Sequence, residues 1–184
     1  MKTIRERPIK TSELLNECRG HFRVWSLYSV NELDKDFPIP EQTIRSFKDT
    51  VEADEEHKNK SANDLGKEGV NGITLRERLI WELEYFKETG KHLDIENVTL
   101  CSGSRYSDGS VPGVRWRSIN HGLGIGRYGA DYRGDDLRAR EAVSNPSDLT
   151  LDPLDLESRV KKIEEWIDQW ETYDSGWTEY RKKK

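Results

Sequence analysis

Between Phe22 and Val30 the chain alternates: Phe22, Val24, Ser26, Tyr28 and Val30 share one face at period two, with Trp25 and Leu27 opposite. Bulk on both sides predicts a partly buried strand near 22–30. The preceding residues 1–19 are polar, with one short helix expected from Ser12 to Cys18. Pro38 and Pro40 mark a turn, and Pro40 suits the first turn of a helix through Ile44 and Phe47. Apolar positions then thin out. Glu52, Asp54, Glu55, Glu56, Lys58, Lys60 and Asp64 make 49–69 an acidic stretch, expected as a mobile loop.

Helical spacing returns at Leu75, Leu79, Leu83 and Phe86, with Ile80 beside them. Thr74 and Glu77 stand at the two positions of a capping box, and Gly90 is a natural stop, so a helix is expected near 74–89. Short strands follow near 98–101, 114–119 and 123–128, with Asp108-Gly109 as a turn signal. Asp135 or Asp136 is placed to cap a short helix through Leu137 and Val143. Leu156, Val160, Ile163, Ile167 and Trp170 form an apolar seam on a last helix near 154–172, a surface that also suits a homodimer. The end, 178–184, reads as a frayed basic tail. These elements define an α+β fold: one domain over 1–184, with a small antiparallel sheet packed by the helices near 74–89 and 154–172.

Composition narrows the class. Of 184 residues, 33% are hydrophobic and 35% charged, so the core must be compact and lean on its six tryptophans. A net charge of −5 gives no general attraction to nucleic acid or to an anionic membrane, and disfavours a long nucleic-acid partner. Two distant cysteines, Cys18 and Cys101, argue against a disulfide framework and fit a reducing, cytoplasmic setting. No apolar run approaches membrane-spanning length, and the first residues carry no apolar leader, so no membrane association is expected.

One segment departs from the rest. Lysine is absent from 92 to 160, whereas Arg105, Arg115, Arg117, Arg127, Arg133, Arg138 and Arg140 crowd 101–140 with eight of the chain's fourteen glycines. Arginine is preferred where carboxylate or phosphate is met by a planar fork, and glycine where a ligand or backbone comes close. Alternation on the strands puts Arg115 and Arg117 on one face, and Gly124 and Gly126 on a face of their own strand. The expected function is non-enzymatic: a binding protein for a small anionic ligand or nucleotide. Arg105, Arg115, Arg117 and Arg127 supply charge, Ser102 and Ser104 donors, Gly124 and Gly126 bare backbone, and Tyr106, Trp116 and Tyr128 stacking surfaces. The opposing expectation is that the arginines form internal ion pairs with the nearby aspartates.

Other chemistry is thinner. Gly124-Ile125-Gly126-Arg127-Tyr128-Gly129 has dinucleotide-loop spacing but no helix pattern after it. If the protein is an enzyme, the best set is His121 with Asp131, Asp135 and Asp136, as a metal-assisted phosphoester or nucleotide hydrolase. No cofactor or resident metal is expected from the motifs. A third class is a protein-interaction module, such as an inhibitor or accessory factor, using Trp166, Trp170 or Trp177.

Overall fold

The computed structural model describes residues 1–26, 29–40 and 44–143. Met1–Ser144 forms one compact unit and Asn145–Lys184 a second. The helix expected at 154–172, with its dimer seam, and the tail at 178–184 lie outside the described residues.

The described residues hold four α-helices and two sheets, an α+β arrangement. Strand β1 (Lys2–Arg5) leads into helix α1 (Thr11–His21), which buries Leu14, Leu15 and Cys18. Strand β2 covers only Arg23–Ser26, and helix α2 (Val30–Asp36) follows. The strand expected to reach Val30 is cut short by a capping box. Ser29 N–H donates to Glu32 Oε2 at 2.9 Å, and the Ser29 hydroxyl accepts from Glu32 N–H.

Strand β3 (Ile44–Phe47) replaces the helix expected there. It pairs antiparallel with β1, Lys2 opposite Phe47 and Arg5 opposite Ile44. A partner strand some forty residues away thus overrides a helical spacing of three. The acidic stretch 49–69 is also more structured than its charge implied. It holds a single 3-10 turn (Glu55–His57) and helix α3 (Ala62–Lys67), with Asp54, His57, Ser61 and Leu65 buried. Helix α3 opens with a Ser61/Asp64 capping box.

Helix α4 (Leu75–Thr89) matches its expectation, from the Thr74/Glu77 capping box to a left-handed Gly90 at φ 68°. Burial runs unbroken from Leu75 to Leu83 because α4 packs against both sheets. Its core partners include Ile4 and Phe47 from one sheet, and Val114, Leu123 and Ile125 from the other.

The remaining strands are β4 (Val98–Leu100), β5 (Val111–Arg117), β6 (Gly122–Tyr128), β7 (Leu137–Arg138) and β8 (Ala142–Val143). Strands β7 and β8 replace the short helix expected after Asp136. Leu137 and Arg138 pair with β4, and Ala142 and Val143 pair with β3, two external ladders that a local cap does not match. The small sheet is ordered β1-β3-β8 and the larger one β2-β6-β5-β4-β7. The larger sheet is mixed, not antiparallel as expected: β2 lies parallel to β6, and β4 parallel to β7.

Candidate anion-binding face

The register of β5 and β6 fixes which side chains share a surface. Arg115 lies opposite Gly124, Arg117 opposite Gly122, and Gly113 opposite Gly126. Directly paired residues point to the same side of a sheet. Arg115, Arg117 and the three β6 glycines Gly122, Gly124 and Gly126 therefore occupy one face, and Val114, Trp116, Leu123 and Ile125 the other, which faces α4. Strand β2 widens the first face, because Arg23 pairs with Gly122 and Trp25 with Gly124.

Side chains lie across the glycines. A Cβ on Gly122 would stand 2.6 Å from Trp25 Nε1, and one on Gly124 would stand 3.0 Å from Arg117 Nε. A Cβ on Gly113 would collide with the Tyr128 ring, which also reaches over Gly126. Trp25 is 48% exposed, with the Arg23 guanidinium 5.1 Å from its ring centroid. At the other end Tyr128 and the 53%-exposed Tyr132 have ring centroids 5.8 Å apart. Burial pushes the Tyr128 hydroxyl above its usual pKa and Asp136 adds to this, while Arg115 and Arg117 pull it down. Next to Tyr128 the face is closed by a small apolar cluster of Ala62, Leu65, Leu100, Val111 and Ala139.

Two of the four expected cations reach this face. Arg115 Nη1 is 3.2 Å from Asp136 Oδ2, and its Nε is buried with no partner. Arg117 is exposed, and no hydrogen bond or ion pair engages its guanidinium among the described residues. Arg127 lies on the opposite face. It donates to Asp108 at 2.7 Å, with its guanidinium 4.1 Å from the Tyr106 centroid. The Ser102–Arg105 loop serves the start of α4 instead. Ser104 Oγ accepts the Leu75 N–H at 2.9 Å, and Arg105 Nη1 donates to the carbonyls of Ser102 and Ser104. Ser102 Oγ is buried without a partner.

The expected stacking residues divide likewise. Tyr128 is on the face, Tyr106 is buried at 2% exposure, and Trp116 turns inward to stack on His92 with 3.3 Å between centroids. Sequence reasoning passed over Arg23, Trp25 and Tyr132. The usable signal was the run Arg23-Val24-Trp25, where two large polar-edged side chains share the face opposite Val24.

The remaining arginines of the segment are structural. Arg133 forks onto Asp64 with two bonds of 2.6 Å, Arg138 pairs with Glu55, and Arg140 is buried against Asp94 at 2.7 Å. The internal-ion-pair expectation thus describes much of the cluster.

The hydrolase set is not assembled. His121, at φ 45°, sits in the turn before β6, whereas Asp131, Asp135 and Asp136 follow its far end. Six residue steps at about 3.4 Å separate the ends of that strand by roughly 20 Å, and Asp136 returns only as far as Arg115, opposite Gly124. Asp131 accepts from Asn63 at 2.6 Å, and Asp136 is committed to Arg115. Among the described residues, Asp54, Glu56 and His57 bring possible ligand atoms within 4.8 Å of one another. They have internal partners: Asp54 Oδ2 accepts the Glu141 N–H, His57 Nε2 meets Glu141, and Glu56 pairs with Lys48. Cys18 and Cys101 are both buried thiols; burial pushes Cys18 up to about 12 and Cys101 higher still, so neither is a nucleophile. Of the glycines with dinucleotide-loop spacing, Gly124 and Gly126 lie within β6 and Gly129 just after it, with a strand and not a helix as the next element.

No helix among the described residues is long and apolar enough to cross a membrane. Trp166, Trp170 and Trp177, on which the interaction-module expectation rested, lie outside the described residues. No family model, curated protein or solved structure matches the chain.

Proposed function

We propose that the protein is a non-enzymatic binding protein that holds a phosphate-bearing ligand on the outer face of its five-stranded sheet. One observation carries this reading: Arg117 extends over the bare backbone of Gly124 with no internal partner among the described residues, although Asp and Glu engage most arginines nearby. A guanidinium fork left open beside Arg115 and Arg23 is suited to phosphate oxygens. The glycines let the Trp25, Arg117 and Tyr128 side chains lie flat against the sheet, where they present their outer surfaces to the ligand. Two free buried thiols fit a reducing, cytoplasmic setting for it.

A thermal-shift series with inorganic pyrophosphate, nucleoside triphosphates and short oligonucleotides tests the reading. A ligand at 100 times its Kd stabilises the fold by about 2.7 kcal/mol. Arg115→Ala with Arg117→Ala removes that shift. It costs the unliganded protein about 1 kcal/mol or less, since the one ion pair lost among the described residues is half-exposed. Absence of a shift with every phosphate-bearing compound contradicts the proposal.

A further inference from the structure

Resting on that reading, we infer that the ligand is single-stranded nucleic acid, bound by base–phosphate–base contacts across the sheet. The order of side chains on the face is the reason. Along β6, Gly122 lies under Trp25, Gly124 under Arg117 and Gly126 under Tyr128. Aromatic, cation and aromatic thus follow one another at the period of two that keeps residues on one side of a strand. The outer positions are four residues apart, about 14 Å at strand rise.

A mononucleotide carries its base at one end and its phosphates at the other, so it fills one aromatic station and the cation and leaves the second station empty. A single strand places a phosphodiester between successive bases, which is the order found here. A duplex hides the faces of its bases in the stack. Inorganic polyphosphate gains nothing from the exposed Trp25 and Tyr132. Glycine at 113, 122, 124 and 126 leaves the sheet beneath the stations without Cβ atoms, so Trp25, Arg117 and Tyr128 lie low upon it. Every base has a face to stack, so the contacts tolerate sequence. The Arg23 guanidinium beside the Trp25 ring adds a second cation at that end.

The test is fluorescence anisotropy on the full chain with labelled oligo-dT and oligo-U of two, four and eight nucleotides. Unlabelled mononucleotide, duplex and inorganic polyphosphate serve as competitors. The eight-nucleotide strands bind most tightly, and the competitors displace them poorly. Trp25→Ala and Tyr132→Ala each weaken binding roughly tenfold. The logarithm of the binding constant falls against log salt with a slope of about −2, set by three arginines on a single strand. Tyr132 is exposed beyond β6, so its variant keeps the test valid if Trp25→Ala fails to fold. If polyphosphate or mononucleotide binds as tightly as the oligomers, and both aromatic variants are neutral, the inference is overturned and the anion-binding reading stands. If no phosphate-bearing probe binds at all, both fall. Preference for oligo-dT or oligo-U, with the aromatic dependence intact, supports the inference.

Discussion

Arg78 and Arg140 enter the core because Asp94 goes in with them. Asp94 Oδ2 takes the Arg78 Nε–H at 2.8 Å and the Thr99 hydroxyl at 2.5 Å, and Oδ1 takes Arg140 Nη2 at 2.7 Å. Glu82 neutralises the second charge, accepting from Arg78 Nη1 at 2.8 Å, and its other oxygen meets His92. All four charged side chains are almost fully buried. Removing one member leaves a guanidinium stranded in a low dielectric, so Asp94→Ala costs about 3–5 kcal/mol in urea titration at pH 7. A loss under about 1 kcal/mol contradicts the role given to Asp94. Its titration sets the pH window. Burial pushes the Asp94 carboxyl up, but Arg140 and Arg78 together outweigh it and hold the pKa below the usual value. A depressed folded pKa means the stabilisation is complete above the unfolded value, about 3.9, and fades as pH falls through the folded one. The gap between wild type and Asp94→Ala therefore narrows below about pH 4 and is constant above it.

Strands β5 and β6 show a different use of glycine, one a substitution can isolate. Gly124 lies in a regular strand and needs no positive φ; what it provides is room under Arg117. The obstructing atom for an added Cβ is the far end of a flexible side chain, which moves at little cost. Gly124→Ala is thus expected to leave the melting temperature within about 2 °C, since alanine lowers the entropy of the unfolded chain. The same change lifts Arg117 off the sheet and weakens ligand binding several-fold in the anisotropy assay. Equal binding by the variant would show that the bare backbone is incidental. Where local pattern carried the information, this part of the fold was legible: period two on β5 and β6 placed Arg115 and Arg117 with the glycines, and the capping box placed α4. What local pattern lacked was partners. Ile44–Phe47 looks helical until β1 is beside it, and Ala142–Val143 until β3 is. The same gap hid Arg23 and Trp25, since only the β2–β6 ladder, joining residues about a hundred apart, sets them on the arginine face.

Residues 137–143 close the described unit as a whole, although they supply only two short strands. Leu137–Arg138 adds the last strand of the larger sheet, and Ala142–Val143 the last of the smaller one. Between them Arg140 completes the buried ion network, Ala139 O accepts the Asp54 N–H at 3.0 Å, and Arg140 O accepts the Ile73 N–H at 2.9 Å. Without this segment Asp94 keeps one guanidinium in place of two, and the loops near Asp54 and Ile73 lose backbone acceptors. Buried donors left unpaired cost about 1–3 kcal/mol each, and with the loss from the ion network they become comparable to the 5–15 kcal/mol on which a domain stands. The unit is thus expected to acquire a cooperative fold only once the chain reaches Val143. A chain ending at Ser144, the limit of the first compact unit, should unfold in urea as one sigmoidal transition. A chain ending at Gly134 should show a broad, non-cooperative change and little near-ultraviolet dichroism. The ten additional residues are few and polar, so hydrophobic area alone predicts only a modest difference between the fragments. A sharp transition in the shorter fragment would mean that the ion network and backbone acceptors of 137–143 decorate a fold already complete. A broad transition there beside a sharp one in the longer fragment would show that they complete it.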